Sequence, residues 1–203
     1  MLAMVPKNHP NHRKGKGALD SVDDRETPPD VFDPLNEEFH FTLDVAAARH
    51  NAKCRRYYTL GPGPLYLARQ LNIFPEEFVG DQDALGIDGL AHEWLPGERV
   101  WCNPPFSDLA PWVMKATRTD ATVVMLLPAN RCEQPWWQEM IEPYRDGRGC
   151  HLRPETRFLA GRRCFRNRGA AITNRTSRNP PFGIVIVIWD RRESYRNEPA
   201  NDT

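Results

Sequence analysis

Apolar positions along the chain fall into short runs separated by polar and proline-rich stretches. "TPPDVFDPLNEEF" (27–39) sets Val31, Phe32, Leu35 and Phe39 at helical spacing, with prolines in the first turn and Thr27 at the cap position. "FTLDV" (41–45) and "ERVWC" (98–102) are short strand candidates, and "ATVVMLLP" (121–128) predicts a buried strand stopped by Pro128. "FGIVIVIWD" (182–190) predicts a last, β-rich strand. "LAPWVMKAT" (109–117) and "CEQPWWQEMIEPY" (132–144) predict helices, with Trp136 and Trp137 packing on the sheet. Strands alternating with helices imply an α/β domain with a mostly parallel sheet covered on both faces. No helical pattern precedes the last strand, so a strand pair joined by a long loop is expected there, with the last strand antiparallel.

Residues 1–25 are polar and basic beyond the first five, and residues 193–203 are similar. Both predict flexible tails around a domain at 26–192. At 203 residues and 40% apolar, the chain suffices for one full core. Formal net charge is zero, so total charge points to no partner. Its distribution is uneven. Residues 145–178 carry ten arginines against Asp146 and Glu155, while residues 76–98 carry seven acids and no Lys or Arg. Such a surplus grips phosphate or forms a solvated surface, and charge alone leaves both readings open.

The five cysteines form no CxxC pair, and no apolar stretch is long enough for a signal peptide or membrane span. The pattern predicts a reduced, cytoplasmic protein without structural disulfides, and no membrane partner. The six histidines are scattered, which argues against a zinc site, so no metal is expected. Oligomeric state is not legible.

The tetrapeptide NPPF occurs twice, at 103–106 and at 179–182. In open α/β sheets ligands bind outside the carboxyl ends of strands. The first copy directly follows "RVWC" and precedes a helix, so it occupies that position. The second precedes a strand and reads as a turn entering it. Consecutive prolines fix the backbone and remove its donors, leaving carbonyls as acceptors. Asn103 adds a side-chain carbonyl and Phe106 a flat apolar face. This set suits a planar ring bearing an amino group, which would donate to Asn103 and to the Pro104 carbonyl while stacking on Phe106. A stiff turn with a core Phe is the plainer alternative.

The ordered set "TPPDVFDPLNEEFHFTLDVAAARHNAKCRRYYT", "DGLAHEW", "VWCNPPFSDLAPWV", "VVMLLPA" and "FLAGRRCF" resembles the phage-type DNA N-6-adenine methyltransferases (Dam-type) over residues 26–190. The resemblance implies a Rossmann-like S-adenosylmethionine-dependent methyltransferase fold and methyl transfer to adenine in double-stranded DNA. It also implies a bacterial or phage-infected host cell. Asn103, Pro104, Pro105 and Phe106 match the family's catalytic loop. Thr27 and Pro28 match the segment at the methionine end of the cofactor, and Asp44, Ala46 and Ala47 the loop after the first strand. Asp88 matches an acid facing the cofactor's adenine. Asp83 competes with it, because residues 60–80 are longer than the family norm. Alanines stand where many methyltransferases have a glycine-rich loop, and Phe106 stands where Tyr is common. Arg162, Arg163, Arg166, Arg168, Arg175 and Arg178 are the expected DNA contacts, within an Arg-rich segment at about 145–181. Related loops also serve methyl transfer to RNA adenine or protein glutamine, and a DNA-binding protein without catalysis is a further alternative.

Overall fold

Short apolar strands are stable only where neighbouring strands pair their backbones and helices cover their faces. The computed structural model describes residues 26–48, 50–59, 84–145, 154–161, 165 and 182–192. The tails expected at 1–25 and 193–203 lie outside these residues. The strands are β1 (Leu43–Ala47), β2 (Tyr57–Thr59), β3 (Gly86–Ile87), β4 (Arg99–Cys102), β5 (Thr122–Pro128), β6 (Pro154–Phe158) and β7 (Ile184–Trp189). They form a seven-stranded sheet in the order β3-β2-β1-β4-β5-β7-β6. Every pairing is parallel except those of β7, which runs antiparallel to both β5 and β6. The expected antiparallel last strand, β7, and its pairing with the preceding strand, β6, are therefore present.

Alternation within β5 and β7 divides the core. Val123, Met125, Leu127, Val185, Val187 and Trp189 face one side, which also holds Trp112 and Val113 of helix α2 (Ala110–Arg118) and Trp136 and Trp137 of α3 (Pro135–Met140). Val124, Leu126, Ile184, Ile186 and Ile188 face the other, against Val31, Phe32, Leu35 and Phe39 of α1 (Pro29–Phe39). Each fully buried aliphatic side chain contributes roughly 1.5–3 kcal/mol relative to exposure. No helix among the described residues is long and apolar enough to cross a membrane.

Two local expectations are corrected. Thr27 does not cap α1: the cap residue is Pro28, whose carbonyl accepts from Val31 N and Phe32 N at 3.1 Å each. With Pro29 opening the helix, the capping position moves one residue past Thr27, which is itself buried. The helix expected over 132–144 is also shorter. Pro135 lacks the N–H that an interior position needs and so opens α3, and Pro143 would clash with the preceding turn if the helix ran on. Six α-helical residues remain, followed by a 3-10 turn at Glu142–Tyr144.

Candidate active site

β1 and β4 are parallel neighbours, with Asp44 opposite Trp101, so the segments that follow them leave the same edge of the sheet. A cleft opens there, lined by Thr27, Asp44, Ala46, Asn51, Lys53, Trp101 and Asn103. Four of the residues singled out in the sequence thus share one cavity: Thr27, Asp44, Ala46 and Asn103. Pro28 and Ala47 are buried and are not among its lining residues.

Asp44 organises the turn after β1. One carboxylate oxygen accepts from Ala46 N at 3.2 Å and the other from Lys53 N at 3.0 Å. Asn51 adds a second side-chain acceptor, taking the Ala48 N–H at 2.6 Å. The alanine-rich turn is therefore closed by side-chain oxygens rather than by glycine geometry. Asp44 is 2% exposed. Burial pushes its carboxyl up to about 6, against the pull of the Lys53 and Ala46 N–H bonds and the Lys53 charge. Lys53 itself pairs with Glu26 at 2.7 Å and lies over the Phe32 ring.

The first NPPF leaves β4 at this cleft. Asn103 lines the cavity and Pro104 is buried. The Pro105 carbonyl accepts from Asp108 N at 3.2 Å, and the Phe106 carbonyl accepts from the Arg131 guanidinium. The Phe106 ring meets Phe165 edge-on at 6.2 Å and Phe182 at 5.9 Å. Phe182 is the last residue of the second NPPF, so the two copies touch.

A family model described as DNA N-6-adenine-methyltransferase (Dam) matches residues 16–66 and 66–196. The chain belongs to this Dam family. Its sheet order, with β7 alone reversed, is the Rossmann-like arrangement of S-adenosylmethionine-dependent methyltransferases. Among solved structures, the 23S rRNA methyltransferase ErmE is similar at 15% identity, over 87% of this chain and 73% of that one, with a TM-score of 0.47. A dimethyladenosine transferase from Plasmodium falciparum is similar at 14% identity, over 84% and 64% of the two chains, with a TM-score of 0.42. No curated protein matches the chain.

In this Dam-family chain "DGLAHEW" has a local logic. A side chain at Gly89 would sit 2.0 Å from the Val45 carbonyl oxygen, so only glycine lets this turn approach β1. Trp94 donates to the Gly89 carbonyl at 3.0 Å, and the Lys115 ammonium donates to the carbonyls of Leu90 and His92. Asp88 sits left-handed at φ 64 and accepts from Leu90 N at 3.0 Å. It is not among the residues lining the Asp44 cleft. Asp83 lies outside the described residues.

The six arginines expected to contact DNA (162, 163, 166, 168, 175 and 178) also lie outside the described residues. Two others of the Arg-rich segment are paired internally: Arg145 with Glu142 at 2.9 Å, and Arg157 with Glu38 and Glu155 at 2.5 Å each. Trp136 and Trp137 are core residues, as expected, and so are Trp94 and Trp112, while Trp101 is both buried and on the cleft wall. Sequence reasoning missed Asn51, Lys53 and Arg131. For the first two the signal was closeness to Asp44 in "DVAAARHNAK". For Arg131 it was a basic residue just past the strand-ending Pro128.

Proposed function

We propose that the chain transfers a methyl group from S-adenosylmethionine to the exocyclic amine of adenine in double-stranded DNA, with the base flipped out of the helix. The observation that carries this reading is that Asn103, the first residue of the NPPF loop, lines the same cleft as Thr27, Asp44 and Ala46. Family membership supplies the reaction class.

The cleft fits the proposed donor by its chemistry. One acid, one ammonium, a hydroxyl and two amides stand beside an indole, a set suited to an amino-acid zwitterion joined to a planar base. Thr27, Asp44, Ala46 and Asn51 would hold it, with Pro28, Ala47 and Asp88 adjoining. S-adenosylmethionine, when bound, supplies a methyl group already activated on a sulfonium. The chain's own task is then orientation, which contributes roughly 7–11 kcal/mol in well-aligned reactions. The Asn103 side chain and the Pro104 carbonyl accept from the adenine amine, favour a pyramidal nitrogen and carry the charge that develops there. No strong base is needed before attack, because the proton leaves afterwards. Pro105 stiffens the loop, and the Phe106 face takes the ring.

Flipping the base costs on the order of a few kcal/mol. Stacking on Phe106 recovers about 1–3 kcal/mol. Residues 26–192 are read as the catalytic domain. The Arg-rich stretch at about 145–181, through Arg162, Arg163, Arg166, Arg168, Arg175 and Arg178, is read as the grip on the DNA backbone.

Methylation of unmodified plasmid DNA, read by single-molecule sequencing, tests the proposal, with RNA and protein offered in parallel. N6-methyladenine in a fixed sequence context is expected. Modified cytosine, or label entering only RNA or protein, overturns it.

A further inference from the structure

The NPPF loop raises a mechanical problem. Pro104 and Pro105 have no N–H, so neither can anchor the loop by donating a hydrogen bond. The loop's carbonyls can still accept: Asp108 N donates to that of Pro105 at 3.2 Å, and the Arg131 guanidinium reaches that of Phe106 across 25 residues of sequence.

Arg131 is well placed for this. β4 and β5 pair in parallel, with Cys102 opposite Met125, so the turn after β5 leaves the sheet beside the loop after β4. That 3-10 turn, Ala129–Arg131, is fixed on its other sides. Ala129 N donates to the Gly183 carbonyl at 2.9 Å, the Cys132 thiol to the Ala129 carbonyl at 3.2 Å, and Gln134 N to the Arg131 carbonyl at 3.2 Å. Gly183 follows Phe182, which packs on Phe106. One short turn thus ties the exit of the first NPPF to the exit of the second. None of the ion pairs among the described residues uses Arg131, so its described bond is to this loop.

We propose that Arg131 is a positioning residue of the methyl-transfer reaction: it fixes the Phe106 peptide, and through it the height and tilt of the platform that receives the base. The inference rests on the functional reading above. It predicts a defect on the acceptor side alone, because Arg131 does not line the Asp44 cleft.

The test is steady-state methylation of unmodified plasmid DNA by the full chain and its Arg131→Ala and Arg131→Lys variants, with S-adenosylmethionine affinity measured by calorimetry. Arg131→Ala should lose about 10²-fold in kcat, the scale of a 1 Å misplacement. The KM for S-adenosylmethionine should stay within about twofold, as expected when only transition-state contacts are lost. Arg131→Lys keeps one charged donor and should fall between the two. Guanidinium ion, well below denaturing concentration, should restore part of the Arg131→Ala rate. If Arg131→Ala fails to fold, an intermediate kcat with unchanged donor affinity in Arg131→Lys supports the inference, and a parental kcat in that variant overturns it. Parental kcat in Arg131→Ala, or a loss confined to donor affinity, overturns this inference alone. No transfer by the unaltered chain overturns the functional reading and this inference together.

Discussion

The two NPPF segments hold the same four residues in opposite relation to their strands. The first leaves β4, and the second leads into β7. Because β7 is antiparallel, with Pro128 opposite Ile184, its beginning lies at the edge where β4 and β5 end. The end of β4, which leads out of the sheet into the first copy, and the beginning of β7, which follows Phe182 of the second, therefore lie at one edge of the sheet. Of the described residues, the first copy thus places Asn103 at the cleft and the second places Phe182 beside Phe106.

The sharpest way to break this comparison is to alter the two asparagines separately. Asn103→Ala should lower kcat by roughly 10²–10³-fold, the usual cost of removing one preorganised polar contact at a reacting centre. Asn179→Ala should leave kcat within about threefold, as for a substitution away from the reacting centre. Equal losses in a plasmid methylation assay would abolish the distinction between the copies.

The two phenylalanines offer a smaller contrast. Phe106→Ala removes the proposed stacking face and should cost about 1–3 kcal/mol in kcat/KM for DNA. Phe182→Ala removes only a tilted ring neighbour and should cost less, about 0.5–1.5 kcal/mol, the worth of an aromatic pair. Phe106→Tyr keeps the ring and should remain active. A larger loss from Phe182→Ala than from Phe106→Ala would reverse the assignment.

How much of this was legible follows from what each feature depends on. β5 and β7 are continuous apolar runs, so their burial is written locally. β2 and β3 span three and two residues and exist because β1 pairs with β2 and β2 with β3, which no local pattern records. The helix over 132–144 failed on prolines whose helix-breaking effect outweighed the apolar spacing. Asn103 was legible because a strand end and a proline pair coincide in sequence. Arg131 and Lys53 were not. Arg131 reaches the Phe106 carbonyl from a segment 25 residues on, while the Lys53 backbone N–H reaches the Asp44 carboxylate through the shape of a nine-residue turn that apolar spacing does not record. Gly89 was visible as a residue, but its necessity lies in the Val45 carbonyl it approaches.

DNA contact by the Arg-rich stretch asks whether the neighbourhood of the second copy serves binding while the first serves transfer. Replacing Arg162 and Arg163 together by Ala should reduce the slope of log affinity against log salt by about 1–2, near 0.9 per lost phosphate contact. The kcat at saturating DNA should hold. An unchanged slope in a binding titration removes these two arginines from the interface.

The smallest expected effect concerns the wall that Asn103 shares with Asp44. Burial raises the Asp44 carboxyl from an ordinary value of 3.8 to about 6. For an acid raised in the folded state, the fold binds the proton more tightly than the unfolded chain. Its contribution to stability is full below pH 3.8 and is lost as pH rises through 6. Asp44→Asn cannot titrate, so it should lack this decline. The amide must also set its NH2 group against either the Ala46 or the Lys53 N–H, which lowers stability at every pH. The informative quantity is therefore the difference in Tm between parent and variant as a function of pH. It should shift in the variant's favour between pH 4 and 6 and stay level above, by about 2–4 °C for each kcal/mol of charge burial. A difference that is flat across this range would mean that Asp44 is solvated, and that the cleft beside Asn103 is wetter than its 2% exposure implies.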